Sequence, residues 1–73
     1  MARHEVESEV QGNVWKIVVA EGQQVAAGDV LLILESMKME IPVESPVAGT
    51  VGEILVKLEE AVEEDQVLAI VLD

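Results

Sequence analysis

The chain has 73 residues, no cysteine and one histidine, and its 15 acidic residues against four basic ones give a net charge of −11. This length is typical of one small domain, and the lack of cysteine excludes disulfides and cysteine-ligated zinc. Such an acidic excess repels phosphate backbones, which argues against binding to nucleic acid. The longest apolar run, 67–72, is far shorter than the roughly 20 residues of a membrane helix. We therefore expect a single cytoplasmic domain over 1–73, with no membrane contact.

The first half of the chain predicts short strands. Residues 14–19 are rich in β-branched side chains and lie between Gly12 and the turn signal at 21–22. Residues 30–34 are apolar throughout and too short for a helix, which indicates a buried strand. A further short strand is flanked by Pro42 and Pro46, and these prolines confine it to a sheet edge or to turns.

The second half predicts the same elements again. Residues 51–58 alternate between apolar and polar side chains over much of their length, and 67–72 form an apolar strand. The Glu-rich segment 58–65 is compatible with a helical turn, but the match of Val62 to Val25 favours a loop and a short strand. We read four strands in each half.

Residues 12–35 and 49–72 are an ungapped repeat with an offset of 37. A repeat of this length indicates one supersecondary unit used twice. We predict an all-β fold of two four-stranded antiparallel sheets packed face to face with quasi-two-fold symmetry, and we expect Trp15 to pack against a sheet end. We expect both halves to contribute to one core, through Ile17, Val19, Ile33, Ile54, Val56 and Ile70. Eight positions are identical in the two halves, at Gly12/Gly49, Val14/Val51, Ile17/Ile54, Val19/Val56, Val25/Val62, Val30/Val67, Leu31/Leu68 and Ile33/Ile70.

The segment between the halves, about 36–48, contains the run Ser-Met-Lys-Met with a glutamate on either side. This run is similar to the attachment motif of the biotinyl/lipoyl family, whose biotinyl members place the modified lysine between two methionines. The resemblance extends from about residue 5 to residue 72 and includes the stretch 46–51. It implies a flattened barrel-sandwich hybrid of two four-stranded sheets, the architecture that the repeat also predicts.

The resemblance implies biotin bound covalently to Lys38, on an attachment hairpin at about 36–41. It further implies a carrier without catalytic residues of its own, serving a biotin-dependent carboxylase. The implied partners are biotin protein ligase, biotin carboxylase and carboxyltransferase, and the isolated chain is expected to be monomeric. The flanking residues expected to aid recognition are Met37 and Met39, and candidate contacts to the ligase or a partner are Glu35, Ser36 and Glu40.

The position of Lys38 near the centre of the repeat fits this role. The segment that joins two symmetric halves lies at one end of a sandwich, with the chain termini expected at the other. Strand alternation would put Met37 and Met39 on the face opposite Lys38, while Lys16 and Lys57 fall within predicted strands and are less accessible. Acylation requires the neutral amine, and we expect the domain not to activate its own lysine, so the ligase has to supply the base and the activated biotinyl-adenylate.

Two departures from the family pattern stand out. Ser36 occupies a position that is usually alanine, and Glu59 and Asp65 match Gly22 and Gly28, where the family often has turn glycines. If Glu59 adopts a positive φ, it carries strain of about 1 kcal/mol.

Three functions are compatible with the sequence: a biotin carrier, a lipoyl carrier and an unmodified docking module. Lipoyl domains generally lack methionine on both sides of the lysine, which favours biotin. We expect no metal site, because the glutamates at 59–64 lack the ligand spacing and central glycine of a calcium loop. The intact mass of the protein from cells distinguishes the three functions.

Overall fold

A computed structural model describes residues 2–73, which form eight β-strands. The predicted strands are present with shifted ends, and segment 58–65 contains a short strand rather than a helical turn. The bounds are β1 Arg3–Glu7, β2 Gly12–Ile17, β3 Gln24–Val25, β4 Val30–Ser36, β5 Met39–Glu44, β6 Gly49–Ile54, β7 Ala61–Val62 and β8 Val67–Leu72.

The strands form two antiparallel sheets. The terminal sheet has the order β1-β8-β6-β3, and the hairpin sheet has the order β5-β4-β2-β7. A shift of 37 residues converts each strand of one sheet into the corresponding strand of the other, and each sheet contains strands from both halves of the chain. The predicted all-β architecture with quasi-two-fold symmetry is therefore confirmed. β5 is an edge strand, one of the two placements expected from the prolines, but it contains Pro42 instead of being flanked by it.

The symmetry extends to individual hydrogen bonds. The Ser8 amide donates to the Gln66 carbonyl and the Ser45 amide to the Asp29 carbonyl, both at 2.8 Å. β5 is the counterpart of β1, so the structural repeat is longer than the 24 aligned positions and includes part of the segment between them. The sequence also carries this extension, at Val6/Val43, Glu7/Glu44, Ser8/Ser45 and Val10/Val47, but the aligned repeat began only at Gly12 and left it out.

The core lies between the sheets and is built from both halves, as expected. Val56 belongs to it, and Ile17, Val19 and Ile54 pack against it while remaining partly exposed. Ile33 was wrongly assigned to it, whereas Ile70 is buried, with 2% exposure, but lies outside the main cluster. The neighbours of each, at 32 and 34 and at 69 and 71, point into the core, so alternation turns Ile33 and Ile70 to the outer faces of their sheets. The most deeply buried members of the core include Leu31, Leu68, Val14, Val51 and Val62.

The expected packing of Trp15 against a sheet end is also wrong. The pairing of β2 with β4 shifts register between Val14 and Lys16, and such a bulge adds one residue to the strand. Val14 is buried, whereas Trp15 is 48% exposed and Lys16 is exposed. The bulge therefore presents both side chains on the outer face of the hairpin sheet.

Two of four matched turn residues, Glu59 and Asp65, carry strain of the expected kind. Gly22 and Gly28 have φ near 89°, and their counterparts Glu59 and Asp65 have φ of 68° and 70°. Glycine adopts this conformation without steric cost, and aspartate tolerates it better than glutamate. The second half of the chain thus uses the same turns at a higher cost in backbone energy.

The chain termini meet at one end of the sandwich. The Asp73 amide donates to the Ala2 carbonyl at 3.1 Å, and the Asp73 carboxylate lies 2.9 Å from His4 Nε2. The hydrogen bond with His4, assisted by the Ala2 amide, holds the pKa of the Asp73 carboxyl below its usual value. β1 runs from this end toward the loop before β2. No helix among residues 2–73 is long and apolar enough to cross a membrane.

The shared core generates a prediction about equivalent positions. Leu31→Ala and Leu68→Ala should each lower the free energy of unfolding by about 2–5 kcal/mol, because each removes a fully buried side chain at matched sites. Urea unfolding of both variants measures this. Ile17→Ala and Ile54→Ala are milder alternatives should the leucine variants not fold. Equal losses with single cooperative transitions are expected, and a large loss in only one member of a pair would contradict equivalence.

Candidate functional site

β4 and β5 are joined by a two-residue turn at the tip of the hairpin sheet. Ser36 pairs with Met39, so only Met37 and Lys38 lie in the turn. Their φ values are 51° and 65°, and positive φ at both central residues is the pattern of a type I′ turn, which matches the twist of the flanking strands. The tight strand pairing therefore determines the backbone at Lys38.

This turn is occupied by residues that do not favour it. Asn-Gly is the usual pair, and a residue other than glycine at positive φ costs about 1–3 kcal/mol. The turn also corrects the expectation that alternation separates Met37 from Lys38, because alternation applies to strand residues and both of these lie in the turn. Strained backbone is thus held at the residue that the sequence motif singles out.

The side chains around the tip are exposed. Met37 is 93% exposed, Met39 is 65% exposed, and Lys38 is exposed as well. Lys38 makes no ion pair within residues 2–73, whose salt bridges join other residues. The methionines therefore contribute little to the core, and the Lys38 amine is free to react.

The base of the hairpin is anchored to the loop that precedes β2. The Ser36 hydroxyl donates to the Gln11 carbonyl at 2.8 Å, a bond that alanine at this position cannot make. A Cβ on Gly12 would collide with the Glu35 carbonyl oxygen, so only glycine permits the close approach of β2 to β4. Sequence reasoning missed this anchor, although Gly12 is one of the positions shared by both halves.

Two carboxylates form the residue pair next to the Ser36–Met39 pair that closes the turn. Glu35 and Glu40 are direct partners across β4 and β5, and both are exposed. Directly opposed residues share one face of a sheet, so the two glutamates project together from the outer face of the hairpin sheet. The structure therefore brings all six predicted residues into one hairpin. Two of them, Glu35 and Glu40, project from the outer face of the hairpin sheet.

Contrary to expectation, the other two lysines are accessible to solvent. Lys16 lies in β2 at the bulge, whereas Lys57 follows the end of β6 and lies outside any strand. Both are exposed. Exposure alone does not distinguish Lys38 from them, and its place at the tip of an anchored hairpin is what sets it apart.

The described chain offers no metal centre, since no group of three His, Asp or Glu side chains within residues 2–73 is arranged to hold an ion. An open groove of about 760 Å³ runs beside the hairpin, between the Ser36 and Met37 side and the acidic side chains of Glu9, Glu63 and Glu64. It contains no nucleophile paired with a base, so the site has no chemistry of its own beyond one accessible amine.

An accessible amine held at the end of a rigid sandwich suits a group bound through its carboxylic acid. An amide links such a group to the chain without any further ligand from the protein, and the open surroundings leave room for it. These features define a carrier domain for a covalently attached cofactor.

Comparison with known proteins identifies the family. The family model described as biotin-requiring enzyme matches residues 3–71, and the chain belongs to this biotin/lipoyl family. It is 42% identical over 67 residues to the biotinylated protein TB7.3 homolog of Mycobacterium leprae, covering 92% of this chain and 94% of that protein. It is 43% identical to the biotin/lipoyl attachment protein of Bacillus subtilis, covering 86% of each. The chain is a biotinyl attachment domain of this family, a carrier component and not itself the catalyst.

A solved structure shares the fold closely. The crystal structure of the Kluyveromyces lactis urea carboxylase matches with a TM-score of 0.94 and 36% identity, covering 99% of this chain. The matched part is only 6% of that much longer protein. The likeness therefore concerns the carrier domain and not the activity of the whole carboxylase.

The turn geometry predicts an unusual stabilising substitution. Met37→Asn should raise the free energy of unfolding by about 1 kcal/mol, because asparagine accepts the left-handed backbone more readily than methionine does. Met37 is almost fully exposed, so no core contact is lost. Urea unfolding measures the change.

Met39→Asn is the matched control. It makes the same chemical change at an exposed neighbour that lies in a strand, where asparagine is disfavoured. The control should be neutral or slightly destabilising. If both variants moved the urea midpoint in the same direction by the same amount, backbone strain at residue 37 would not be the cause.

Proposed function

We propose that Lys38 carries the biotin in an amide bond and that the chain moves it between a biotin carboxylase site and a carboxyltransferase site. The observation that carries this proposal is the two-residue turn, which presents the Lys38 amine at an exposed tip free of ion pairs with the described residues. The likeness to a biotinylated protein and to part of a urea carboxylase supports the cofactor and the carboxylase setting.

The attachment step follows from amine chemistry. The neutral Lys38 Nζ attacks the acyl carbon of biotin that has been activated as its adenylate. A C–N bond forms, the bond between the acyl carbon and the phosphate oxygen breaks, AMP leaves, and the amine gives up one proton. No base of the described chain contacts the amine, so the biotin protein ligase has to supply the group that takes this proton.

After attachment the contribution of the chain is positional. Biotin supplies, once bound, a ring nitrogen that takes up and releases CO₂. The Ser36 anchor and the close approach at Gly12 hold the base of the hairpin, while the exposed tip leaves the arm free to move. This division between a fixed base and a mobile arm suits delivery to two separate active sites.

The isolated carrier is proposed to be monomeric and to work in the cytoplasm. A net charge of −11 supports the monomer, since copies of the chain repel one another. Sedimentation velocity at low ionic strength tests it, and a dimer at micromolar concentration would contradict it.

Incubation of the unmodified chain with biotin protein ligase, ATP and biotin should add one biotinyl group to the wild type and none to Lys38→Arg. The arginine variant retains the charge while removing the acylable amine. Intact mass measures the addition. Lys16→Arg and Lys57→Arg are matched controls and should be labelled fully, because both lysines lie away from the tip.

The same assay separates the alternative functions. A lipoyl carrier would instead gain a lipoyl group from lipoate, ATP and a lipoate ligase, and an unmodified docking module would gain nothing from either enzyme. Biotinylation that persists in Lys38→Arg would overturn the assignment of the lysine.

We further propose that Met37 and Met39 contact the enzymes that act on Lys38. Their exposure on both sides of the lysine supports this, because large exposed apolar side chains at a tip have no role in the core. Met37→Ala should leave the melting temperature nearly unchanged and lower kcat/KM for ligation about fivefold to tenfold, the loss of roughly 1 kcal/mol typical of an important interface residue. Leu55→Ala, an exposed apolar control on the terminal sheet, should change neither. A large fall in melting temperature for Met37→Ala would identify it as a structural residue instead.

A further inference from the structure

The outer face of the hairpin sheet carries an apolar patch. Trp15 and Val18 are each 48% exposed, Ile33 is partly exposed and Pro42 is exposed. We call these four residues the Trp15 patch. Ile33 lies directly opposite Pro42 on β5 and opposite Lys16 on β2, next to the bulge at Trp15. Trp15, Ile33 and Pro42 therefore lie on three adjacent strands, and Val18 follows directly after the end of β2.

The quasi-two-fold symmetry supplies an internal comparison. The positions on the terminal sheet that match Trp15 and Pro42 are Gly52 and Glu5, and Ile70 there is flanked by Glu5 and Glu53. Leu55, which matches Val18, is also exposed at 45%, but Ile70 is buried, so the same fold is built on the other side without an exposed tryptophan and with glutamates beside the isoleucine. Packing of the sandwich does not require the Trp15 patch, which indicates a role in contact with another molecule.

An acidic border separates the patch from the tip. Glu35 and Glu40 form the next row of the outer face toward Lys38, and Glu44 lies on the far side of Pro42 along β5. A second copy of the chain would bring one acidic border against another and be repelled. The charge instead fits a protein surface in which an apolar contact is surrounded by lysine and arginine side chains.

Attachment of biotin demands closer contact than its later delivery. Before attachment, the lysine side chain alone spans the distance from the hairpin to the reacting carbon, so the ligase has to press against the body of the carrier. A specific interface buries about 800 Å² per partner, against a total surface of 4596 Å² for this chain. Two turn residues are too few for such an area, and the adjoining outer face has to contribute.

We propose that the Trp15 patch and its acidic border are the docking surface for the biotin protein ligase. This proposal rests on the proposed biotinylation of Lys38 and adds the surface by which the enzyme recognises the carrier. The ligase approaches from the side of the hairpin sheet, covers Trp15 with an apolar surface, and places basic side chains against Glu40 and Glu44.

The first test compares ligation kinetics of variants in matched pairs. Trp15→Thr should raise KM for the carrier about tenfold with little change in kcat, a loss of roughly 1.4 kcal/mol in binding. Val18→Thr and Leu55→Thr alter equivalent positions on the two sheets, and only Val18→Thr should raise KM. Glu44→Lys and Glu7→Lys form the corresponding charge pair, and only Glu44→Lys should do so. If Trp15→Thr does not fold, these two pairs still test whether the ligase docks on the Trp15 patch and its acidic border.

The second test observes the contact directly. Trp15 is the only tryptophan of the chain, so fluorotryptophan labelling gives a single fluorine NMR resonance. In the Lys38→Arg background, which cannot be acylated, unlabelled ligase should shift or broaden this resonance at the concentrations at which it binds. A shift that depends on carrier concentration without ligase would reveal self-association and overturn the proposal.

The outcomes distinguish this proposal from the function on which it rests. If the wild-type chain is not biotinylated at all, the proposed function fails. If the wild type is biotinylated but KM is the same for both members of each matched pair and the fluorine resonance does not respond to ligase, only the docking surface is wrong. A resonance that responds to a carboxylase component and not to the ligase would likewise overturn it.

Discussion

The structure depends on the exchange of strands between its two halves. Each sheet takes two strands from each half: β1 and β3 of the first half join β6 and β8 of the second, and β2 and β4 join β5 and β7. Neither half can therefore cover its own apolar side chains, and the core of Leu31 and Leu68 forms only when both are in place. A chain of this size has little stability to spare, so this mutual burial holds the whole domain together.

The same symmetry gives the two ends of the sandwich different tasks. A shift of 37 residues relates the pair Ala2 and Asp73, at the chain termini, to Met39 and Ser36, at the base of the hairpin. At one end the chain is interrupted, and at the other the same pairing continues through Met37 and Lys38 as a tight turn. The turn that carries Lys38, the proposed attachment site, is thus a covalent link that has no counterpart at the other end of the symmetric sandwich.

The turn of Met37 and Lys38 is unfavourable in backbone energy, and it is also the place where the lysine is presented. Positive φ at two residues other than glycine is unfavourable, and it persists because strand pairing below the turn and the Ser36 anchor impose it. The consequence is a lysine whose backbone is fixed while its side chain is free. The two outer faces also differ in composition, since the face adjoining the hairpin has Trp15 and Pro42 where the other has Gly52 and Glu5.

Much of this protein could be read from its sequence, because strand propensity, turn residues and internal repetition are local signals. Those signals determined the all-β class, the two related halves, the edge position of Pro42, the strained turn at Glu59 and the central place of Lys38. Only the tertiary structure decided that Met37 and Lys38 form a two-residue turn, that Trp15 faces outward and that Ile33 lies outside the core. Each of these depends on register with a distant strand, and a single bulge or a one-residue change in turn length transfers side chains from one face of a sheet to the other.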